Sequence, residues 1–387
     1  MTTRRTFLRV AGTSAAILAA GGYGLTQCDP MPEAAVEAWR GPAPGARDPR
    51  VRALSYALLA PNPHNKQPWI VDLKEPGAAT FFCDRSRLLP QTDPYSRQIT
   101  VGCGAFLELL RMAAAEQGLR AEVSAFPAGD WPEDAVGDQP VCRIAFVPDT
   151  AVARDPLFAH VLKRHTNRKA FDGTAVDPGE ATLLAAAGMM IGPTQTLPVK
   201  FGWTANAQQV ARLAAIAKRA WVIEVKKDAT YKESVDVMRI TGPEIAKHRD
   251  GLSMHGPFFW WMNKLGLFNQ QNAMEPFGRD QALTFIDPQL AVKAFGWIVT
   301  AANDRRAQLA AGAAYVRANL KATELGLVMH PLSQALQEFP EMLPVLAEHK
   351  RAVGAQDSET VQMFFRLGRA AVAEPAPRRP LDAILQG

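Results

Sequence analysis

CGAFLELLRMAAAEQGL (residues 103–119) and AGAAYVRANLKATELGL (residues 311–327) align without a gap at an offset of 208 residues. Gly104, Ala105, Ala114, Glu116, Gly118 and Leu119 fall on Gly312, Ala313, Ala322, Glu324, Gly326 and Leu327, and Arg97 falls on Arg305 at the same offset. Each segment repeats apolar residues at helical spacing and ends on a glycine, the residue that tolerates the left-handed turn after a helix. Two Ala-rich helices that match by composition would account for part of this. The shared Gly and Glu positions favour a duplicated core, two similar halves in one chain packed as a dimer would pack.

The rest of the chain is compatible with that reading. Its 387 residues suffice for two ordinary domains or one large one. Val51, Leu54 and Leu58 predict a helix that ends near Pro61. Strand-like runs follow at 69–73 and 79–83, then a helix over 101–118, then strands in RAEVSAF and PVCRIAFV. Helix and strand signals resume after residue 155, which makes the class α+β or mixed α/β. The expected organisation is a segment 1–28, a Pro/Ala/Gly-rich tether 29–46, a first half 47–150 and a second half 151–387. An insertion is expected in the second half at about 224–290.

The net charge of +5 includes Arg4, Arg5 and Arg9. TTRRTFLRV followed by the weakly apolar run Val10–Tyr23 resembles a twin-arginine export signal, which is removed on export. Without those three arginines the charge is about +2, so the alkaline balance argues for no nucleic-acid partner. The apolar run is shorter than the roughly 20 residues a membrane span requires. The expected location is therefore the periplasm or cell envelope, with membrane contact through the signal alone. Cys28, Cys83, Cys103 and Cys142 form no CxxC pair; Cys28 in LTQC invites a lipoprotein reading that Gln27 disfavours, and the three cysteines beyond the signal read as small core residues. The seven histidines show no metal-binding spacing, so no metal is expected.

Chemistry concentrates in APNPHNKQPW (60–69). Three prolines stiffen it and Asn62, His64, Asn65 and Gln67 make it polar. A plain proline turn is the modest reading. HNKQPW resembles the SxxNxQPW element of the nitroreductase-fold FMN flavoproteins. VLKRHTNRKAFDG (161–173) resembles their R-x-S-x-R segment through Arg164, Thr166 and Arg168. GLVMHPLSQ (326–334) resembles their P-x-E-G segment, and RLGRA…PRRPLDAIL their C-terminal element. With DRSRLLPQTDPYSRQIT, these are most similar to the Acg-type branch, in which two halves of the fold are fused. The resemblance spans roughly 47–386 and implies a nitroreductase-like α+β fold with two pseudo-symmetric halves.

What the resemblance implies for the site is specific. Pro63, His64, Asn65 and Gln67 would face the flavin ring. Arg164, Thr166, Arg168, Arg378 and Arg379 would hold the FMN phosphate, since guanidinium groups match phosphate oxygens in a planar fork. If their segment is helical, Arg164 and Arg168 share a face. Trp69 reads as a core residue. Two departures stand out. Pro63 replaces the usual Ser, and Ser333 and Gln334 replace the Glu and Gly of P-x-E-G, which leaves a backbone N–H at Gln334 to approach the ring. The elbow occurs in the first half and the other motifs in the second, so one chain should build one complete site and behave as a monomeric pseudo-dimer.

The expected function is FMN-dependent oxidation and reduction between a small-molecule donor and acceptor. No side chain identifies itself as a catalytic acid or base. A non-catalytic FMN storage protein and an apo ligand-binding protein are the alternatives, separable by NAD(P)H oxidation and by colour. HGPFFWWMNKLGLFNQQNAMEPFG (255–278) reads as a core or interface insertion, a lid over the flavin or a membrane-surface contact.

Overall fold

The computed structural model describes residues 28–191 and 195–386. The export-signal reading lies outside the described residues.

The first half runs α1 (Pro49–Ala57), β1 (Trp69–Asp72), β2 (Ala78–Cys83), α2 (Arg97–Ala115), β3 (Leu119–Ala125) and β4 (Cys142–Pro148). The second runs α3 (Pro178–Gly188) and β5 (Lys200–Thr204), then an excursion, then β6 (Ala294–Thr300), α4 (Arg305–Glu324), β7 (Val328–Pro331) and β8 (Thr360–Gly368). The first sheet has the order β1-β2-β4-β3 and the second β5-β6-β8-β7. The order is the same once strands are matched by their place in each half. Both sheets are antiparallel within these four strands, with Ala79 opposite Ile144 in one and Gly296 opposite Phe365 in the other. The class is thus α+β, with two pseudo-symmetric halves in one chain, as expected.

Helices α2 and α4 form the core between the sheets. Nearly all of α2 is buried because it packs on its own sheet and on α4. The two helices cross at their glycines. A Cβ on Gly104 would overlap the carbonyl of Leu309, and one on Gly312 would overlap the carbonyl of Val101. Leu309 stands at the repeat position of Val101, so these two close approaches are one contact seen twice, as in an isologous dimer.

Arg97 and Arg305 obey the same rule. Each is fully buried, and each reaches into the other half. Arg97 donates to the carbonyls of Leu336 and Val361 and pairs with Glu338 at 3.0 Å. Arg305 donates to the carbonyls of Tyr95, Pro132, Glu133 and Ala135 at 2.8–3.0 Å. A buried guanidinium is tolerated when its N–H groups are this fully satisfied.

The chain ends cross over as well. Leu385–Gln386 adds a parallel strand to the free edge of β1, with Val71 opposite Leu385. Residues 29–46, expected to be a tether, are partly docked instead. Glu33–Val36 is helical, Ala35 and Trp39 are buried, and the Ala35 carbonyl accepts from Arg378 N at 2.8 Å. Trp39 supplies the burial that an Ala/Pro-rich count does not register.

The excursion between β5 and β6 occupies 205–293, where the first half has a short link between β1 and β2. It contains helices Ala207–Lys226 and Asp228–Asp236, a two-stranded parallel sheet of Met238–Ile240 with Leu252–Met254, and the aromatic helix Pro257–Lys264. That aromatic helix buries none of its residues, and Phe258 is 66% exposed. The aromatic helix is therefore not core, whereas Ala273, later in the same stretch, is buried against Tyr231 and Val235. Among the described residues no helix is long and apolar enough to cross a membrane.

Candidate functional site

The elbow is held in a costly backbone shape. His64, Asn65 and Gln67 have φ of 46°, 52° and 48°, left-handed values that non-glycine residues adopt at a cost of roughly 1 kcal/mol or more each. Such strain persists because surrounding bonds over-determine it. Asn62 Oδ1 accepts from Gln67 N at 2.7 Å, and Asn65 N bonds the Asn62 carbonyl. Gln67 is fully buried; its amide donates to the Arg249 carbonyl and accepts from Arg379 N. Asn65 donates to the Pro377 carbonyl at 2.9 Å and accepts from Arg378 at 2.8 Å. The polar elbow is thus a clasp that joins the first half to the C-terminal tail and the excursion.

This departs from two sequence expectations. The Gln67 side chain is committed to the excursion and the tail and does not line the pocket, whereas Asn65 both bonds the tail and lines it. Arg379 is likewise engaged, donating to the carbonyls of Gln67 and Ala383, and it does not line the pocket. Trp69 is core as expected, packed on Phe81 and Phe106.

A pocket opens beside the elbow. It is lined by Asn62 and Asn65 from the first half, Arg164, Thr166 and Arg168 from the second, and Arg378 from the tail. Trp39 also lines it, as do Gly251 and Ser253 of the excursion. Arg164–Arg168 is extended, with Arg164 at φ −72° and ψ 122°, which corrects the helical expectation. The three motif side chains still converge, because alternate residues of an extended segment fall on one side. Asn167, between them, is buried and donates to the Ala371 carbonyl. Arg366 fixes the same segment by donating to the carbonyls of Asn167 and Lys169.

The electrostatics of this pocket are one-sided. Among the described residues no carboxylate pairs with Arg164, Arg168 or Arg378. The acidic lining residue, Glu374, faces His255 at 3.1 Å. Arg164 and Arg378 both donate to one carbonyl, that of Leu59, at 2.9 and 3.0 Å. Each leaves its Nε–H buried without a partner, and the Tyr315 hydroxyl is likewise unpaired. Both guanidinium groups lie over the Trp39 ring, at 5.6 and 5.0 Å from its centroid. Burial lowers the affinity of both for their protons, taking Arg164 down to about 10, and for Arg378 the neighbouring Arg164 and Arg168 charges add to it. Both remain charged at neutral pH, so the arrangement is complementary to an anion of more than one charge.

Ser333 and Gln334 do not line this pocket. They open the short 3-10 turn Ser333–Leu336, and the Gln334 side chain turns toward Glu224. Pro63 and His64 also stand off its wall, and His64 Nε2 lies 3.3 Å from Ser234 Oγ. Sequence reasoning passed over Trp39 and Glu224. Trp39 carries no motif signal, and Glu224 looks like one of the charges of an amphipathic helix. Among the described residues no group of His, Cys, Asp and Glu is placed to hold a metal ion.

No family model matches the chain. It is 28% identical over 350 residues to a Mycobacterium tuberculosis (strain H37Rv) protein provisionally named an NAD(P)H nitroreductase, covering 86% of this chain and 90% of that one. A second protein of that organism, uncharacterised, is 25% identical over 358 residues, covering 86% and 92%. A 75-residue stretch, 19% of this chain and 22% of the other, is 40% identical to the M. tuberculosis protein called acg, also provisionally named an NAD(P)H nitroreductase. Among solved structures, the FMN-dependent nitroreductase of Mycobacterium smegmatis in complex with NADPH covers 60% of this chain and 97% of its own, at 14% identity and a TM-score of 0.38. The chain is therefore similar, along most of its length, to two mycobacterial relatives, one of which carries a provisional nitroreductase name.

Proposed function

We propose that this chain is an FMN-dependent oxidoreductase of the nitroreductase type, in the fused two-half Acg-like form, exported by the twin-arginine route and fed by NAD(P)H. One observation carries the proposal: among the described residues, three guanidinium groups from two segments more than two hundred residues apart surround one pocket with no carboxylate paired to any of them. The mycobacterial relatives support it through their names.

The residues fit FMN. Its phosphate dianion would take the bare Nε–H groups of Arg164 and Arg378, the Arg168 guanidinium and the Thr166 hydroxyl. Its ring would lie toward the elbow, at Asn62 and the backbone around Asn65. When bound, FMN supplies reversible two-electron transfer. The protein contributes binding and orientation. The strained elbow holds its backbone groups fixed, and Trp39 covers the cationic end against water. The two halves share the site, so one chain holds one FMN.

Titration of FMN into the apo-protein, followed by flavin fluorescence, tests the reading. The expected result is one FMN per chain and NAD(P)H oxidation on addition of a nitroaromatic acceptor. Two sites, or none, would overturn the assignment. Binding without NAD(P)H oxidation would favour a storage protein instead.

A further inference from the structure

The His64 side chain reaches the excursion. Its Nε2 is 3.3 Å from Ser234 Oγ. Ser234 Oγ is 3.2 Å from Glu224 Oε1, and Gln337 Nε2 donates to Glu224 Oε2 at 2.5 Å. Glu224, Ser234 and Gln337 are buried. Among the described residues no cation pairs with Glu224; its charged neighbour is Glu233, a like charge that is itself held by Thr92. Nδ1 of His64 is buried with no partner. The charged groups facing the imidazole are Arg168, in the pocket wall, and Lys66.

Three groups in this line can each pass a proton on. The hydroxyl of Ser234 has one proton and two acceptor positions, and imidazole can take a proton at one nitrogen while releasing one at the other. We propose that Glu224, Ser234 and His64 form a proton path that delivers protons to the elbow side of the pocket. In the loaded state Glu224 is a neutral acid that donates to Ser234, Ser234 donates to His64 Nε2, and Nδ1 carries a hydrogen. When Nδ1 gives up that proton to the acceptor reduced in the pocket, Ser234 passes its own to Nε2 and Glu224 passes its own to Ser234. One proton leaves at Nδ1, one negative charge appears on Glu224, and no electrons move. Solvent then reprotonates the carboxyl.

The chemistry suits the proposed reaction, because reducing a nitro group by two electrons consumes protons. This role rests on the flavin reading given above. Burial pushes the Glu224 carboxyl up to about 7 and holds the His64 imidazole neutral down to about 4, so at neutral pH the carboxyl titrates and the imidazole relays. His64 stands behind the pocket wall, next in the chain to the lining residues Asn62 and Asn65 and facing Arg168, and Glu224 and Ser234 act through it.

Two measurements test the path. In the first, the nitrogens of His64 are followed by NMR in 15N-histidine-labelled apo-protein across pH 5–9. The expected result is a switch from the Nδ1–H to the Nε2–H tautomer with a midpoint near that of Glu224, and its loss in Glu224→Gln. In the second, FMN-loaded protein is assayed with NADPH and a nitroaromatic acceptor. Turnover should fall roughly tenfold per pH unit above the carboxyl's midpoint. Glu224→Gln and Ser234→Ala should be slow and flat across that range. A His64 that keeps one tautomer throughout, or a turnover profile unchanged in Glu224→Gln, overturns the path. Failure of wild-type apo-protein to bind FMN would sink the flavin reading alone, since the tautomer measurement requires no flavin.

Discussion

The crossing of α2 and α4 and the pocket beside the elbow lie on the same interface between the halves, yet they differ in symmetry. At the crossing every feature has its counterpart 208 residues away: Gly104 with Gly312, Val101 with Leu309, Arg97 with Arg305. At the pocket nothing is repeated. The elbow comes from the first half, the cationic segment from the second, and Trp39 and Arg378 from the two ends of the described chain. Packing two similar halves requires self-complementary surfaces, and these constrain both copies alike. A ligand site needs one good copy, and the other is free to lose its parts.

The crossing should be the most sensitive place in the molecule. Gly104→Ala and Gly312→Ala each push a methyl group into a backbone carbonyl that has no room to move. Each should destabilise by roughly 3 kcal/mol, the upper end of the usual cost of overpacking. Chemical denaturation should show the two variants within error of each other. A large difference would break the symmetry drawn above.

Glu224 comes next, with a definite pH signature. Its folded-state pKa of about 7 exceeds the usual 4.5, so the folded chain binds the extra proton between those values. Stability therefore falls as pH rises through that window, by roughly 3 kcal/mol in all if the unfolded value is ordinary. Glu224→Gln should remove the slope, so its melting temperature should exceed that of wild type at pH 8 and not at pH 5. Parallel melting curves at the two pH values would show that the carboxyl is not held neutral by burial.

Arg164→Ala should weaken FMN binding by about 1.5–3 kcal/mol, ten- to more than a hundredfold, by removing a charge-assisted bond to the phosphate. It should leave the apo-protein no less stable, because removing one of two like charges on the Leu59 carbonyl relieves repulsion. Calorimetric titration and thermal melting of the same variant separate these effects. A destabilised apo-protein with unchanged FMN affinity would mean that Arg164 is structural.

Asn65→Ala should have the smallest effect, about 1 kcal/mol on FMN affinity, because its bonds to the tail, one to the Pro377 carbonyl and one from the Arg378 guanidinium, act on the ligand only through the position of Arg378. Its clearer sign should be faster proteolysis of the chain after residue 370. Protection equal to wild type would show that the clasp does not depend on Asn65.

Much of the fold could be read from the sequence. The ungapped repeat identified two halves, because a helix that must cross its own copy keeps its glycines in register. The elements of the first half were found at nearly their observed bounds, since β1, β2, β3 and β4 alternate or run apolar and α2 is apolar at helical spacing. The motif residues Asn65, Arg164, Thr166, Arg168 and Arg378 were named, and all five line one pocket. Periodicity could not distinguish extended from helical in 164–168, because spacings of two and four both bring Arg164 and Arg168 to one side.

Composition and motif spacing determined the class, the duplication and the identity of the cationic residues, because those depend on local pattern and on charge. The tertiary structure alone decided that Asn65, Gln67 and Arg379 fasten the tail, that Trp39 covers the arginines, and that Glu224 is buried beside Ser234 and His64. Each of those outcomes depends on contacts between segments more than a hundred residues apart, or on which face of a helix is covered. A sequence gives the groups that are able to pair; only the packed chain determines which of them lose water and so must find a partner.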